Sequence, residues 1–130
     1  MLYSGSFRSI QPDQYDQIWL CVRSLKAMPK NPYGNIFHIP ELSPSTQLFF
    51  EALNLKKAGK WNNDTFNTIY LPKFVEELKQ PAAYQKLEEL VELSRSKNIL
   101  IVCYCSNESL CHRRILKTYV EIRNQQLEKE

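Results

Sequence analysis

The sequence predicts an α/β fold, in which a parallel or mixed sheet is flanked by helices in a Rossmann-like three-layer architecture. Two apolar runs, Ile18–Val22 and Ile99–Cys105, have the length and hydrophobicity of strands that are buried on both faces. Segments with helical periodicity alternate with such runs, which is typical of a sheet covered by helices. The 130 residues, of which 43% are hydrophobic, fit a single domain.

The first third of the chain predicts short strands separated by turns. A strand around Leu2–Ser4 is followed by a turn at Gln11–Asp13 and then by the first apolar run. The loop Met28–Asn35 is rich in proline and glycine, which oppose regular structure. Ile36–Pro40 is then expected to form a third short strand that ends at the proline.

The middle of the chain predicts helices. Ser43–Ser45 supplies residues typical of a helix cap before Gln47–Lys57, and Gly59 stops this helix. Asn63 or Asp64 is expected to cap a second helix, which Pro72 should kink or restart.

Two further helices flank the second apolar run. One starts at Pro81 and carries a helical stripe as far as Ser94. The other runs from about Leu110 to Leu127, with Ser109 as its expected N-cap.

Composition limits the classes of function. The formal charge of +3 and the isoelectric point near 8.7 tolerate a phosphate-bearing partner but fall short of a nucleic-acid footprint. No segment approaches the roughly 18 apolar residues of a membrane span, and the first residues do not resemble an export signal. We therefore expect a cytoplasmic protein with no membrane partner, whose four cysteines are reduced.

The start of the last helix is a candidate anion site. If Ser109 caps it, Cys111, His112 and Arg113 lie in the first turn, where free backbone N–H groups and the helix dipole favour a phosphate. Arg23 follows the first buried strand, at the sheet edge where ligands bind in such folds. The surface alternative, in which these arginines are merely solvated, stays open.

The cysteines allow two further interpretations. The field of the helix would lower the pKa of Cys105 or Cys111, so either is a candidate nucleophile with His112 as its acid–base partner. A zinc site is the alternative to a nucleophilic cysteine, because suitable zinc ligands are present at four positions, Cys103, Cys105, Cys111 and His112. Their spacing argues against zinc: Cys-x-Cys on an extended strand spreads its thiols, and neighbours on a helix project about 100° apart. Cys103 is then mainly a core residue, and we expect no cofactor.

Single residues elsewhere are weaker candidates. Ser106 and Asn107 lie between the second apolar run and the last helix, and we include both as ligand-binding candidates. His38 stands among apolar residues, which is more typical of a half-buried histidine than of a catalytic one. Tyr33 lies in a loop that we expect to be exposed, where its ring could stack on a ligand. We expect the aromatic residues at helical spacing to be mainly core, with base stacking as the alternative, and the lysines to form a solvated helix end. These residues are Trp61, Phe66, Tyr70 and Phe74, and Lys56, Lys57 and Lys60.

Several of these pieces together resemble the domain-of-unknown-function family four-eight-eight, or YeaO-like proteins. The matching residues are Leu20–Ser24 with Pro29 and Asn31-Pro32, then Trp61, Phe66 and Tyr70, and finally Ile101–Arg113. The resemblance implies an α/β fold and a site that combines Arg23 with the Cys-His-Arg turn, and it implies no established activity.

The sequence departs from the family pattern at two positions. Cys21 stands where the family commonly has the Asp of an Asp-Val-Arg, and Cys105 stands where many members have Glu. A fainter likeness to rhodanese-like domains rests on Val22-Arg23, His38–Pro40 and Cys105-Ser106, and it concerns the fold alone.

The sequence thus favours a phosphate-recognising domain that binds or processes a nucleotide or nucleic acid through Arg23 and Cys111–Arg113. A cysteine-dependent transferase or hydrolase, and a small interaction protein that binds a protein partner, remain alternatives.

Overall fold

The computed structural model describes residues 1–105 and 107–129. Its strands are β1 Leu2–Ser6, β2 Gln17–Leu20, β3 Ile36–His38 and β4 Ile99–Cys103. Its α-helices are α1 Thr46–Lys57, α2 Asn63–Thr65, α3 Leu71–Leu78, α4 Pro81–Ser94 and α5 His112–Glu128. A π-helical turn, Phe66–Tyr70, joins α2 to α3, and short 3-10 turns occupy Phe7–Ser9, Pro12–Gln14, Pro40–Leu42 and Glu108–Leu110.

The strands form one sheet in the order β1-β4-β2-β3, and every pairing is parallel. β4 lies between β1 and β2, and Ile99 is opposite both Leu2 and Gln17. All five residues of β4 are buried, as expected for a strand covered on both faces. The α/β fold with a parallel sheet and flanking helices is confirmed.

Alternate residues of the central strands face two separate parts of the core. Trp19 and Ile101 belong to the larger cluster, which includes residues of the α-helices such as Leu116. Leu20 and Val102 belong to the smaller cluster, which is covered by the N-terminal 3-10 turns and loops. The sheet is therefore the middle of three layers.

The helix boundaries follow from capping and proline chemistry. The Ser45 side chain accepts a hydrogen bond from Leu48 N at 3.1 Å and so caps α1. Asn62 caps α2 in a capping box with Thr65, so the expected cap at Asn63 or Asp64 is one or two residues late. Pro72 stands at the start of α3 directly after the π-helical turn, which confirms an interruption there. Within the described residues, no helix has both the length and the apolar character needed to cross a membrane.

Candidate functional site

The site lies where the two central strands, β2 and β4, end. Parallel strands bring their carboxyl ends to one edge of a sheet, and Cys21 N donates to Val102 O at 2.8 Å just beyond the end of β2. The chain leaves β2 through Val22 and Arg23, and it leaves β4 through Tyr104 and Cys105. Both exits face the start of α5.

β4 ends at Cys103, two residues earlier than the sequence predicted, and the run of apolar residues hid this end. Cys105 therefore does not share a strand face with Cys103. The chain turns back instead, so that Cys105 N donates to Cys103 Sγ at 3.4 Å.

The start of α5 also differs from the prediction. Ser109 is not its N-cap, because Ser109 lies within the 3-10 turn Glu108–Leu110, whose own cap is Asn107. Cys111 occupies the N-cap position with an extended backbone, φ −129° and ψ 149°, and His112 is the first residue of the helix. Cys111 and His112 therefore do not diverge as two neighbours within a helix would.

These two changes bring Cys103, Cys105, Cys111 and His112 together. Their ligand-type atoms all lie within 4.8 Å of one another. The Sγ atoms of Cys103 and Cys111 are 2.9 Å apart, and Cys111 Sγ is 3.6 Å from His112 Nδ1. The spacing was expected to disfavour a metal site only if a strand ran through Cys105 and a helix through Cys111, and neither element extends that far. We call these four residues the thiol–imidazole cluster.

His112 is fixed by contacts on two sides. It is buried, and its Nε2 lies 2.8 Å from Cys21 O. A carbonyl only accepts hydrogen bonds, so Nε2 carries the proton and Nδ1 is the atom that faces the thiols. The ring also packs edge-on against Phe74, with centroids 5.6 Å apart. Burial alone would lower the pKa of His112, but hydrogen bonds to Cys105 and Cys111 raise it to about 10.

The thiols of the cluster differ from one another in acidity. Burial raises the pKa of the Cys111 thiol, but hydrogen bonds from Cys103, Cys105 and His112 outweigh burial and hold it far below its usual value. Hydrogen bonds to Cys105 and Cys111, together with burial, raise the pKa of Cys103. Of these two thiols, Cys111 is thus the one whose deprotonation the surroundings favour, and Cys103 is the one whose deprotonation they oppose.

Cys21 lies outside the cluster. Its Sγ donates to Trp19 O at 3.7 Å, and burial is the main cause that raises the pKa of this thiol. Cys21 therefore acts as a small core residue whose backbone carbonyl serves His112.

The two predicted arginines have different surroundings. Arg113 is only 3% exposed and donates from Nη2 to Cys105 O at 3.1 Å, so it lies behind the cluster. Arg23 is exposed, and its Nε and Nη2 donate to the carbonyls of Ser43 and Pro44 at 3.0–3.2 Å. Among the described residues, no acceptor takes Arg23 Nη1, so this end of the guanidinium is free to meet a ligand.

A cavity of about 440 Å³ opens beside the cluster. Most of its wall is apolar or aromatic, and Arg23 and Lys56 supply its charged side chains. The four residues of the cluster also line it, as do Val22, Ser24, Ser43, Pro44, Thr46, Phe49, Phe50, Ala52, Leu53, Trp61, Tyr70, Tyr104 and Leu110.

The other predicted site residues lie away from this cavity. His38 follows the same sheet edge, but its Nε2 contacts Val22 O at 2.8 Å, and the residue is not part of the cavity wall. Tyr33 is 66% exposed in its loop, and Asn107 caps the 3-10 turn. Ser106 lies outside the described residues.

Sequence reasoning missed most of the cavity wall contributed by α1. Thr46, Phe49, Phe50, Leu53 and Lys56 all line it, at spacings that place them along one helical face. Phe49 and Phe50 are each more than half exposed, so this aromatic face is not a core face. Two adjacent phenylalanines next to a lysine-rich helix end were the available signal.

Residues 6–124 of this chain match the family described as the Active DUF488-N3 subclade. This range contains the ends of β2 and β4, the aromatic part of the cavity wall and the turn Cys111–Arg113. The chain belongs to this family. Family membership confirms the resemblance based on Leu20–Ser24 and Ile101–Arg113. For this DUF488-N3 chain, comparison with curated proteins and with solved structures gave no match. The likeness to rhodanese-like domains stays a prediction.

Proposed function

We propose that this DUF488-N3 chain binds a mononucleotide-like ligand, with its planar ring in the aromatic cavity and its phosphate at Arg23 and Lys56. The observation that carries the proposal is the combination of aromatic walls with two cations at one cavity. Ligand pockets commonly measure about 300–1,000 Å³ and combine apolar walls with a few polar groups. The cavity of about 440 Å³ fits this description.

The aromatic wall suits a planar ring. Trp61 packs edge-to-face against Tyr70, with ring centroids 5.4 Å apart, and this contact holds its indole in place at the cavity. Phe49 and Phe50 add exposed aromatic faces from α1. Stacking on such faces stabilises a bound base by about 1–3 kcal/mol.

The cations suit an anionic group on the same ligand. Lys56 Nζ lies 5.2 Å from the centroid of the Trp61 ring and makes no salt bridge with any described residue. Arg23 Nη1 has no acceptor in the part of the chain that the structure describes, and the contacts of Arg23 with Ser43 and Pro44 fix the direction of the guanidinium. Lys56 thus takes the role that was predicted for Arg113, and Arg113 itself lies behind the cluster.

A mononucleotide fits better than a nucleic-acid strand. The formal charge of the chain is only +3, and the two cations belong to a cavity rather than to an extended basic surface. Binding to a strand would need many phosphate contacts and would therefore be strongly salt-dependent.

Calorimetry with nucleoside monophosphates tests the proposal, with the matching nucleosides and inorganic phosphate as partial ligands. We expect Lys56→Ala to weaken monophosphate binding about tenfold or more, because a charge-assisted contact contributes about 1.5–3 kcal/mol. Lys57→Ala is the matched control, because Lys57 is the next residue and does not line the cavity. It should bind as the parent chain does.

Two results would overturn the proposal. One is that no nucleoside monophosphate binds the parent chain at millimolar concentration. The other is that Lys56→Ala and Arg23→Ala bind monophosphates as tightly as Lys57→Ala does.

A further inference from the structure

We propose that Cys103, Cys105, Cys111 and His112 bind one zinc ion in a four-coordinate Cys₃His centre at the base of the cavity. Three cysteines and a histidine form a common ligand set for tetrahedral zinc. Here they come from two chain segments, the end of β4 and the start of α5. The proposal goes beyond nucleotide binding and does not depend on it.

The distances in the cluster are those of a site that can close around zinc. Tetrahedral zinc, with sulfur at about 2.3 Å and nitrogen at about 2.1 Å, requires ligand atoms roughly 3.4–3.8 Å apart. The pair Cys111 Sγ and His112 Nδ1 meets this at 3.6 Å. The other pairs range from the 2.9 Å of Cys103 and Cys111 to an upper limit of 4.8 Å. Small side-chain rotations therefore suffice to form the centre.

The contact of His112 with Cys21 O is typical of a histidine that binds metal. Such histidines donate their second ring N–H to a carbonyl or carboxylate, which fixes the tautomer and directs the lone pair at the metal. Nε2 of His112 makes this bond at 2.8 Å, and Nδ1 is the atom directed at the thiols. The backbone N–H of Cys105 donates to Cys103 Sγ in addition, and this bond stabilises negative charge on the sulfur.

Arg113 supplies the charge that such a centre needs. Zinc with three thiolates and a neutral imidazole carries one net negative charge, which is costly to bury without compensation. Arg113 is 3% exposed beside the cluster and forms no salt bridge with a carboxylate among the described residues. Its buried Nε also has no hydrogen-bond partner within that part of the chain. A buried, uncompensated cation of this kind indicates an anionic centre next to it.

The centre would be structural rather than catalytic. Four protein ligands fill a tetrahedral shell and leave no position for water or substrate. Zinc would tie the exit of β4 to the start of α5 and so hold Tyr104 and Leu110 in the cavity wall. The same thiols would then be unavailable as nucleophiles, so a free reactive Cys111 is the competing outcome.

Metal analysis of the full chain, purified without a metal-binding tag and without added nucleotide, tests the proposal. We expect about one zinc per chain, as for a single four-ligand site. Replacement of zinc by Co²⁺ should give thiolate-to-cobalt charge-transfer bands and the intense visible bands of a tetrahedral site. Cys105→Ser should bind zinc at least about tenfold more weakly, since even outer-shell changes have effects of 10–100-fold.

Cys21→Ser is the matched control. It makes the same atom change at a buried cysteine outside the cluster and leaves the Cys21 carbonyl in place, so it should retain zinc. Cys105 is only partly buried, so Cys105→Ser is the cluster variant best suited to fold without metal. Circular dichroism of both variants confirms that any loss of zinc is not a loss of fold.

Three results would overturn the proposal. The first is that the purified chain contains no stoichiometric zinc and also gives no thiolate–cobalt bands. The second is that Cys105→Ser and Cys21→Ser bind zinc with equal affinity. The third is that iodoacetamide rapidly alkylates Cys111 in the presence of excess zinc. Because zinc is measured without nucleotide, a chain that binds nucleotide but not zinc overturns this proposal alone.

Discussion

Glu77 holds the N-terminus of α1, so its removal should destabilise the fold. The Glu77 carboxylate on α3 accepts hydrogen bonds from Ser45 N at 2.7 Å and from Ser45 Oγ at 2.5 Å. Ser45 in turn caps α1, the helix that carries Phe49 and Lys56 on the cavity wall. Glu77→Ala removes both bonds while leaving the cap residue itself unchanged.

The expected loss in the free energy of unfolding is about 2 kcal/mol. A hydrogen bond to a charged group contributes about 1.5–3 kcal/mol, and water replaces part of that at a site that is only partly buried. For a chain of this size, the loss corresponds to a fall of roughly 5–10 °C in Tm. Urea unfolding followed by circular dichroism measures the change, with the m-value as a check that the transition stays two-state.

Glu76→Ala is the matched control. Glu76 precedes Glu77 on α3 and forms a surface salt bridge with Lys79, in which both side chains are more than 60% exposed. Such pairs contribute at most about 1 kcal/mol. Equal losses of stability in the two variants would contradict this role of Glu77, and so would fully additive effects of Ser45→Ala and Glu77→Ala in a double-mutant cycle.

Three further predictions concern other parts of the fold. Gly5→Ala in β1 should lose about 1–3 kcal/mol of stability, because a Cβ there would lie 2.7 Å from Ser9 Cβ; a parent-like urea midpoint would contradict this. Leu116→Ala should lose about 2–5 kcal/mol, because this fully buried side chain of α5 leaves a cavity, and a loss under 1 kcal/mol would show that the core collapses around it. Partial burial and the hydrogen bond to Glu88 raise the pKa of Tyr119 to about 12 from its ordinary 10. The stability that this bond contributes is thus fully present below pH 10 and is lost as the pH rises through 12. The parent should therefore lose more stability than Tyr119→Phe between these two pH values. Parallel pH profiles of the two proteins would contradict this prediction.

The strands and most helices were predictable from the sequence because burial leaves a simple pattern. β4 is an unbroken apolar run because both of its faces are covered. Pro81 at the start of α4 and Ser45 before α1 follow from their local backbone chemistry. These features depend on neighbours along the chain alone.

The ends of the elements at the site were not predictable in the same way. Tyr104 and Cys105 are as compatible with a strand as Cys103, so composition does not reveal where β4 stops. Cys111 is the N-cap of α5, although cysteine is not a typical cap residue, whereas nearby Ser109 is one. The thiol–imidazole cluster depends on both of these ends, and therefore only the folded chain reveals it.

The position of β4 between β1 and β2 has a consequence for how this chain folds. Among the described strands, β1 pairs with β4 alone, and the paired residues Leu2 and Ile99 are separated by about three quarters of the 130-residue chain. During synthesis on the ribosome, β2 can pair with β3 soon after both have emerged, whereas β1 has to wait for β4, which then inserts between β1 and β2. Pairings of such long range make folding slow. The strand that completes the sheet ends in Cys103, so we expect the cluster to assemble as part of the same late step.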